Sequence, residues 1–142
     1  MPCWCGFVKR HRLARLQGSR VFILGCVRMT RIEYESDCFF DIDVEKTKNY
    51  YDRQKIYTDK SFIEKLPGNL RDFLVQFGID YEKPCVSPTE HSVVFYVYGT
   101  AHTTTGYELD FYESGLGSRT VSIVIERQPL EDSPSFTLWV FY

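Results

Sequence analysis

The sequence predicts an α+β domain, in which an N-terminal strand and helices are followed by a four-stranded antiparallel β-meander. Three observations carry that expectation. An apolar stripe of helical period runs through Leu66, Leu70, Phe73, Leu74 and Phe77 and stops at Gly78. Four stretches rich in β-branched and aromatic residues follow Pro88. The segments between them, GTAHTTTG, SGLGS and RQPLEDSPS, are turn formers, and none is long enough to hold a parallel crossover helix.

The first residues stand apart. Residues 1–31 hold Lys9, Arg10, Arg12, Arg15, Arg20, Arg28 and Arg31 and no acid. Residues 32–142 therefore carry the other 10 of 17 basic residues and all 19 acidic ones, a balance of −9. On this shift, residues 1–28 read as a basic, loosely ordered extension and residues 29–142 as a single domain. The apolar run VFILGCV lies between Arg20 and Arg28 and is far too short to span a membrane. Export, a polyanion-binding arm and a Cys3–Cys5–His11–Cys26 metal site have less support. The run is at the lower limit for a signal, the acidic body repels nucleic acid, and the spacing fits no paired C-x-x-C pattern.

In the body, Cys38–Val44 alternates. Phe40, Ile42 and Val44 share one face and Asp41 and Asp43 the other, as in a half-buried strand. Asp43 is placed to cap a helix over residues 45–56. Asp59 is placed to cap Ser61–Leu66, and Pro67 can open the next helix at no hydrogen-bond cost. Gly78 ends that helix, Ile79 folds back on its last turn, and Pro84 prevents it from resuming. Beyond Pro88 the expected strands are Ser92–Gly99, Tyr107–Glu113, Thr120–Glu126 and Phe136–Tyr142. Leu109, Phe111, Val121, Ile123, Ile125, Phe136, Leu138 and Val140 face inward.

Catalytic frames are missing. No G-x-S-x-G or comparable setting surrounds a Ser or Cys, and Cys85 beside Pro84 reads as a packed thiol. Gly115-Leu116-Gly117 joins two strands, whereas a nucleotide loop opens a helix. Glu108 and Asp110 stand about 7 Å apart on one strand face, a spacing any strand with a wet face produces. The five cysteines are odd in number and irregular in spacing, so they read as reduced thiols of a cytoplasmic protein. No cofactor is expected.

Lys48-Asn49-Tyr50, a Pro67-led helix and the turn Gly78-Ile79-Asp80-x-x-Lys83-Pro84 resemble a family of small bacterial proteins of unknown function. The resemblance covers roughly residues 38–112 and implies a Tyr-rich sheet after the turn. Members often carry paired cysteines before the Asn-Tyr element. Here those positions hold residues such as Val44, Glu45 and Lys46, so no metal or redox role carries over. By analogy of build, small acidic domains of this kind look like immunity proteins.

The acidic body and its aromatic sheet thus point to a non-catalytic domain that binds a cationic protein, with an immunity-type partner of a basic toxin as the specific expectation. Neither membrane nor, for the body, nucleic acid is expected as a partner. Glu108, Asp110, Tyr112, Trp139 and Phe141 lie opposite the expected core and are the candidate partner-binding residues. The alternative is a small enzyme or ligand-binding module, with Asp80, Tyr96 and His102 around a pocket in the curved sheet.

Overall fold

The fold is known from a computed structural model, which describes residues 16–35, 37–57, 59–104, 106–113, 119–126 and 134–142. Its strands are β1 (Gly18–Leu24), β2 (Val27–Glu35), β3 (Cys38–Ile42), β4 (Ser92–His102), β5 (Tyr107–Glu113), β6 (Arg119–Glu126) and β7 (Ser135–Phe141). Two short helices, α1 (Val44–Asp52) and α2 (Gly68–Gln76), and a 3₁₀ turn at Ser61–Lys65 lie between β3 and β4. The strands form one seven-stranded sheet in the order β1-β2-β3-β4-β7-β6-β5. Every neighbouring pair is antiparallel.

This corrects the expected α+β class with its four-stranded meander. The sheet dominates, and three strands precede the helices. All four later strands form, but β4 pairs with β7 and not with β5. The expected boundary between residues 28 and 29 falls inside β2, and the sheet reaches back to Gly18. Residues 1–15 lie outside the described residues.

Most of the local signals in the helical region operate. Asp43 is the N-cap of α1, its Oδ1 accepting the Lys46 N–H at 3.0 Å. Asp59 is not the cap expected for the next segment: it accepts the Ser61 N–H at 2.9 Å in a side-chain turn, and Lys60 stands at the start of the 3₁₀ turn. After α2 the Ile79 N–H reaches back to the Leu74 carbonyl and the Gly78 N–H to that of Val75. Gly78 has φ +86°, and a Cβ there would stand 2.7 Å from the Val44 carbonyl oxygen. The turn FGIDYEKP therefore seats the end of α2 on the start of α1.

The sheet curls strongly. β3 and β5 are four strand spacings apart, about 19 Å if the sheet were flat. Yet Phe40 of β3 and Phe111 of β5 both rest on the ring of Phe73 in α2, at 6.3 and 5.0 Å. The concave face wraps α2, and Phe40, Phe73, Phe77, Phe95 and Phe136 are fully buried there. Such rings bring large apolar area into the core and lock it through edge-on contacts.

β4 makes the curl possible. Its first part pairs with β7 from Ser92 to Tyr98, and its last part pairs with β3 from Gly99 to His102. At the change-over Gly99 has φ +146°, and a Cβ there would lie 2.3 Å from the Asp41 carbonyl oxygen. Only glycine allows β3 this close. Beside Ser92–Tyr98, where β3 has ended, side chains and loop backbone take over the ladder. The Asp43 N–H donates to the Tyr98 carbonyl, and the Tyr98 N–H donates to Thr47 Oγ1. The Tyr51 hydroxyl donates to the Tyr96 carbonyl at 2.8 Å, and the Tyr96 N–H donates to Cys85 Sγ. The Cys85 N–H donates to the Val94 carbonyl. A strand edge that would otherwise invite another chain is closed.

A turn leads into β5, with the Tyr107 N–H donating to the Thr104 carbonyl at 3.1 Å and the Gly106 N–H to that of Ile125 at 2.8 Å.

Candidate functional site

The convex face of β4-β7-β6-β5 carries the five candidate partner-binding residues. The register sets them in rows. Ser92, Phe141, Ser122 and Asp110 form one row, and Val94, Trp139, Val124 and Glu108 the next. Tyr112 lies beyond Asp110 on β5, opposite Thr120. Trp139 and Phe141 are two residues apart on β7, so they project side by side. Their rings stack at 5.4 Å and 20°, and they are 38% and 41% exposed. Tyr112 is 47% exposed. Glu108 is half-buried.

Asp110 differs from its expected role. It is 5% exposed and accepts the Ser122 hydroxyl at 2.6 Å. It supports the face from beneath and offers a partner little surface.

The alternative pocket residues are spread over the molecule. Asp80 lines a cleft of about 450 Å³ with Lys48, Tyr51, Tyr81 and Glu82. Its Oδ1 accepts the Glu82 N–H at 3.1 Å, as a turn residue does. His102 lines a separate cleft of about 360 Å³ with Gly99, Pro134 and Phe136. Tyr96 lies against Tyr50, with ring centroids 6.5 Å apart, and its backbone belongs to the closed edge of β4. Asp80 and His102 line different clefts.

Around His102 the fold assembles a cluster that the sequence reading missed. Asp41 accepts Arg31 through Nε at 2.7 Å and Nη2 at 2.9 Å. It also meets His102 Nε2 at 2.8 Å. The His102 ring stacks on Phe39 at 4.5 Å, and the Arg31 guanidinium lies over Phe39 and Phe22. Burial works against the Asp41 carboxylate, but the hydrogen bonds and charges of Arg31 and His102 outweigh it and hold its pKa below the ordinary range. The cluster runs across β1, β2, β3 and β4 and clamps them. The one available signal was that Phe39 and Asp41 share a face of β3.

Cys85 is not an activated thiol. Burial pushes its pKa up, against the hydrogen bonds from Tyr51, Tyr50 and the Tyr96 N–H. A neutral thiol suits its role as acceptor on the β4 edge. Among the described residues no group of three His, Cys, Asp or Glu is placed to hold a metal, and no helix is long and apolar enough to cross a membrane. Comparison with protein-family models, with curated proteins and with solved structures gives no match to this chain.

Proposed function

We propose that the chain is a non-catalytic protein-binding domain that captures a cationic partner on the convex face of β4-β7-β6-β5. The observation that carries this reading is the stacked Trp139–Phe141 pair, held out on a rigid central strand. Aromatic side chains on such a support lose little freedom on binding and dominate interface energies. Glu108 on β5 and Glu126 on β6 flank the rings and give the face its negative side. That charge would speed encounter with a basic surface. Neutralisation of a basic toxin by an immunity-type domain is the specific case this chemistry fits.

Co-expression with the polypeptides encoded on either side of its reading frame, followed by co-purification, tests the proposal. A basic partner should be recovered with the parent chain. Trp139→Ala/Phe141→Ala should weaken capture by about 2 kcal/mol or more, a loss of some thirty-fold. Glu108→Lys should weaken it further at low salt. A partner held equally well by parent and double variant would refute the assignment, as would recovery of an acidic partner alone.

A further inference from the structure

We propose that the open edge of β1 pairs with β1 of a second copy of this chain, antiparallel and centred on Phe22, so that two sheets join across a two-fold axis. The inference goes beyond the partner face, which lies at the other end of the sheet.

β1 and β2 are joined by the two-residue turn Gly25-Cys26, with Leu24 and Val27 as the closing pair. In such a hairpin the closing pair is hydrogen-bonded, and bonded pairs then alternate along the ladder. Leu24, Phe22 and Arg20 therefore bond to β2. Ser19, Val21 and Ile23 direct their N–H and C=O groups outward. Among the described residues nothing bonds to them on that side. The other edges are blunted. Beside β4 five outward groups are taken by α1 and the Cys85 segment, as described above. On β5 the Tyr112 carbonyl accepts Asn69 Nδ2, and Glu108 and Glu113 discourage an incoming strand. β1 has neither Pro nor Lys and keeps an unbroken register with β2.

The exposed apolar side chains gather on the same hairpin. Val21, Ile23, Leu24 and Val27 are 51%, 65%, 64% and 43% exposed. β1 is apolar on both of its faces, so the partner that matches it is another strand of the same kind.

The strand's own sequence satisfies that requirement. Registers centred on Arg20, Val21, Phe22 or Ile23 bring outward groups of β1 and its copy together. One centred on Arg20 sets the two arginines directly opposite, and one centred on Ile23 leaves a single bonded pair within β1. One centred on Val21 places the two Arg20 side chains on a close diagonal. One centred on Phe22 sets Val21 opposite Ile23 and Arg20 opposite Leu24, with the two Phe22 rings paired and the arginines far apart. β-Branched and aromatic pairs across a ladder are favourable, and like charges are not. The contact is isologous and closes on itself. A ladder this short belongs to the small, reversible class of interface, so the dimer should dissociate on dilution.

Sedimentation velocity on the full chain, from micromolar to submillimolar concentration, tests this. The parent should pass from monomer to dimer, and amide exchange at Val21 and Ile23 should slow as it does. Val21→Pro removes an outward donor and spares the bonds to β2, so it should abolish the dimer. Ile23→Lys, a charge placed on an edge, should do the same without altering the backbone. Val86→Lys, at an equally exposed apolar residue elsewhere, should leave the dimer in place. A parent that stays monomeric throughout overturns the proposal. So does a dimer that survives Ile23→Lys, or one that Val86→Lys removes as well.

Discussion

Replacing Gly99 by Ala tests how the two parts of the sheet are joined. A non-glycine residue at φ +146° costs about 1–3 kcal/mol in backbone strain alone. The added Cβ would also stand 2.3 Å from the Asp41 carbonyl oxygen and 2.9 Å from Ile42 Cα. Relaxing these contacts to about 3.5 Å requires β3 to withdraw by roughly 1 Å. That stretches the pairings of Asp41 with Thr100 and of Ile42 with Gly99. Ladder hydrogen bonds contribute about 1 kcal/mol each, so the total loss is about 3–5 kcal/mol. Gly25→Ala is the control. Gly25 has φ +65° with nothing within 4 Å of an added Cβ, so its loss is about 1–2 kcal/mol of backbone strain. Urea unfolding followed by far-UV circular dichroism separates the two. With m near 1.5 kcal/mol per molar, the midpoint should fall by about 2–3 M for Gly99→Ala and about 1 M for Gly25→Ala. Equal falls would show that backbone conformation accounts for both and that the approach of β3 contributes nothing.

Two further perturbations address the hydrogen-bonded devices. Tyr51→Phe leaves the buried Tyr96 carbonyl without its donor and should cost about 1–3 kcal/mol in the same assay. An unchanged midpoint would mean that another group or water closes the edge. Asp41 has a lowered pKa, so its contribution is complete above the ordinary value of 3.8 and is lost as pH falls through the lowered one. The parent should lose stability below about pH 4 more steeply than Asp41→Asn. The variant itself should be about 1 kcal/mol less stable at neutral pH, the worth of a partly exposed pair. Identical acid slopes would refute the role given to the Arg31–Asp41–His102 clamp.

Local chemistry was legible wherever a residue acts on its near neighbours. Asp43 caps α1 and Gly78 ends α2 within a few residues of themselves, and the alternation of Leu109, Phe111, Val121, Ile123 and Ile125 follows from one buried face. β1 was illegible because no core enforces alternation on it. VFILGCV is apolar on both faces, and its turn, Gly25-Cys26, is short enough to pass unnoticed inside an apolar run. The pairing of β4 with β7 was missed because GTAHTTTG reads as a hairpin loop, whereas its first half, Gly99–His102, continues β4 and pairs with β3. For the candidate site, alternation placed Trp139, Phe141 and Tyr112 on the convex face. It could not show that Ser122 and the surrounding packing enclose Asp110. Asp41 and His102 are 61 positions apart, and nothing in the sequence reports a contact at that separation until the order of the strands is known.

β7 is the last strand in chain order, yet it sits between β4 and β6 in the sheet. During synthesis both neighbours must wait with bare inner edges until it emerges and slots between them. A nascent chain halted before Ser135 would present two sticky ribbons in place of a finished wall, since the edges of β4 and β6 that β7 covers stay unpaired.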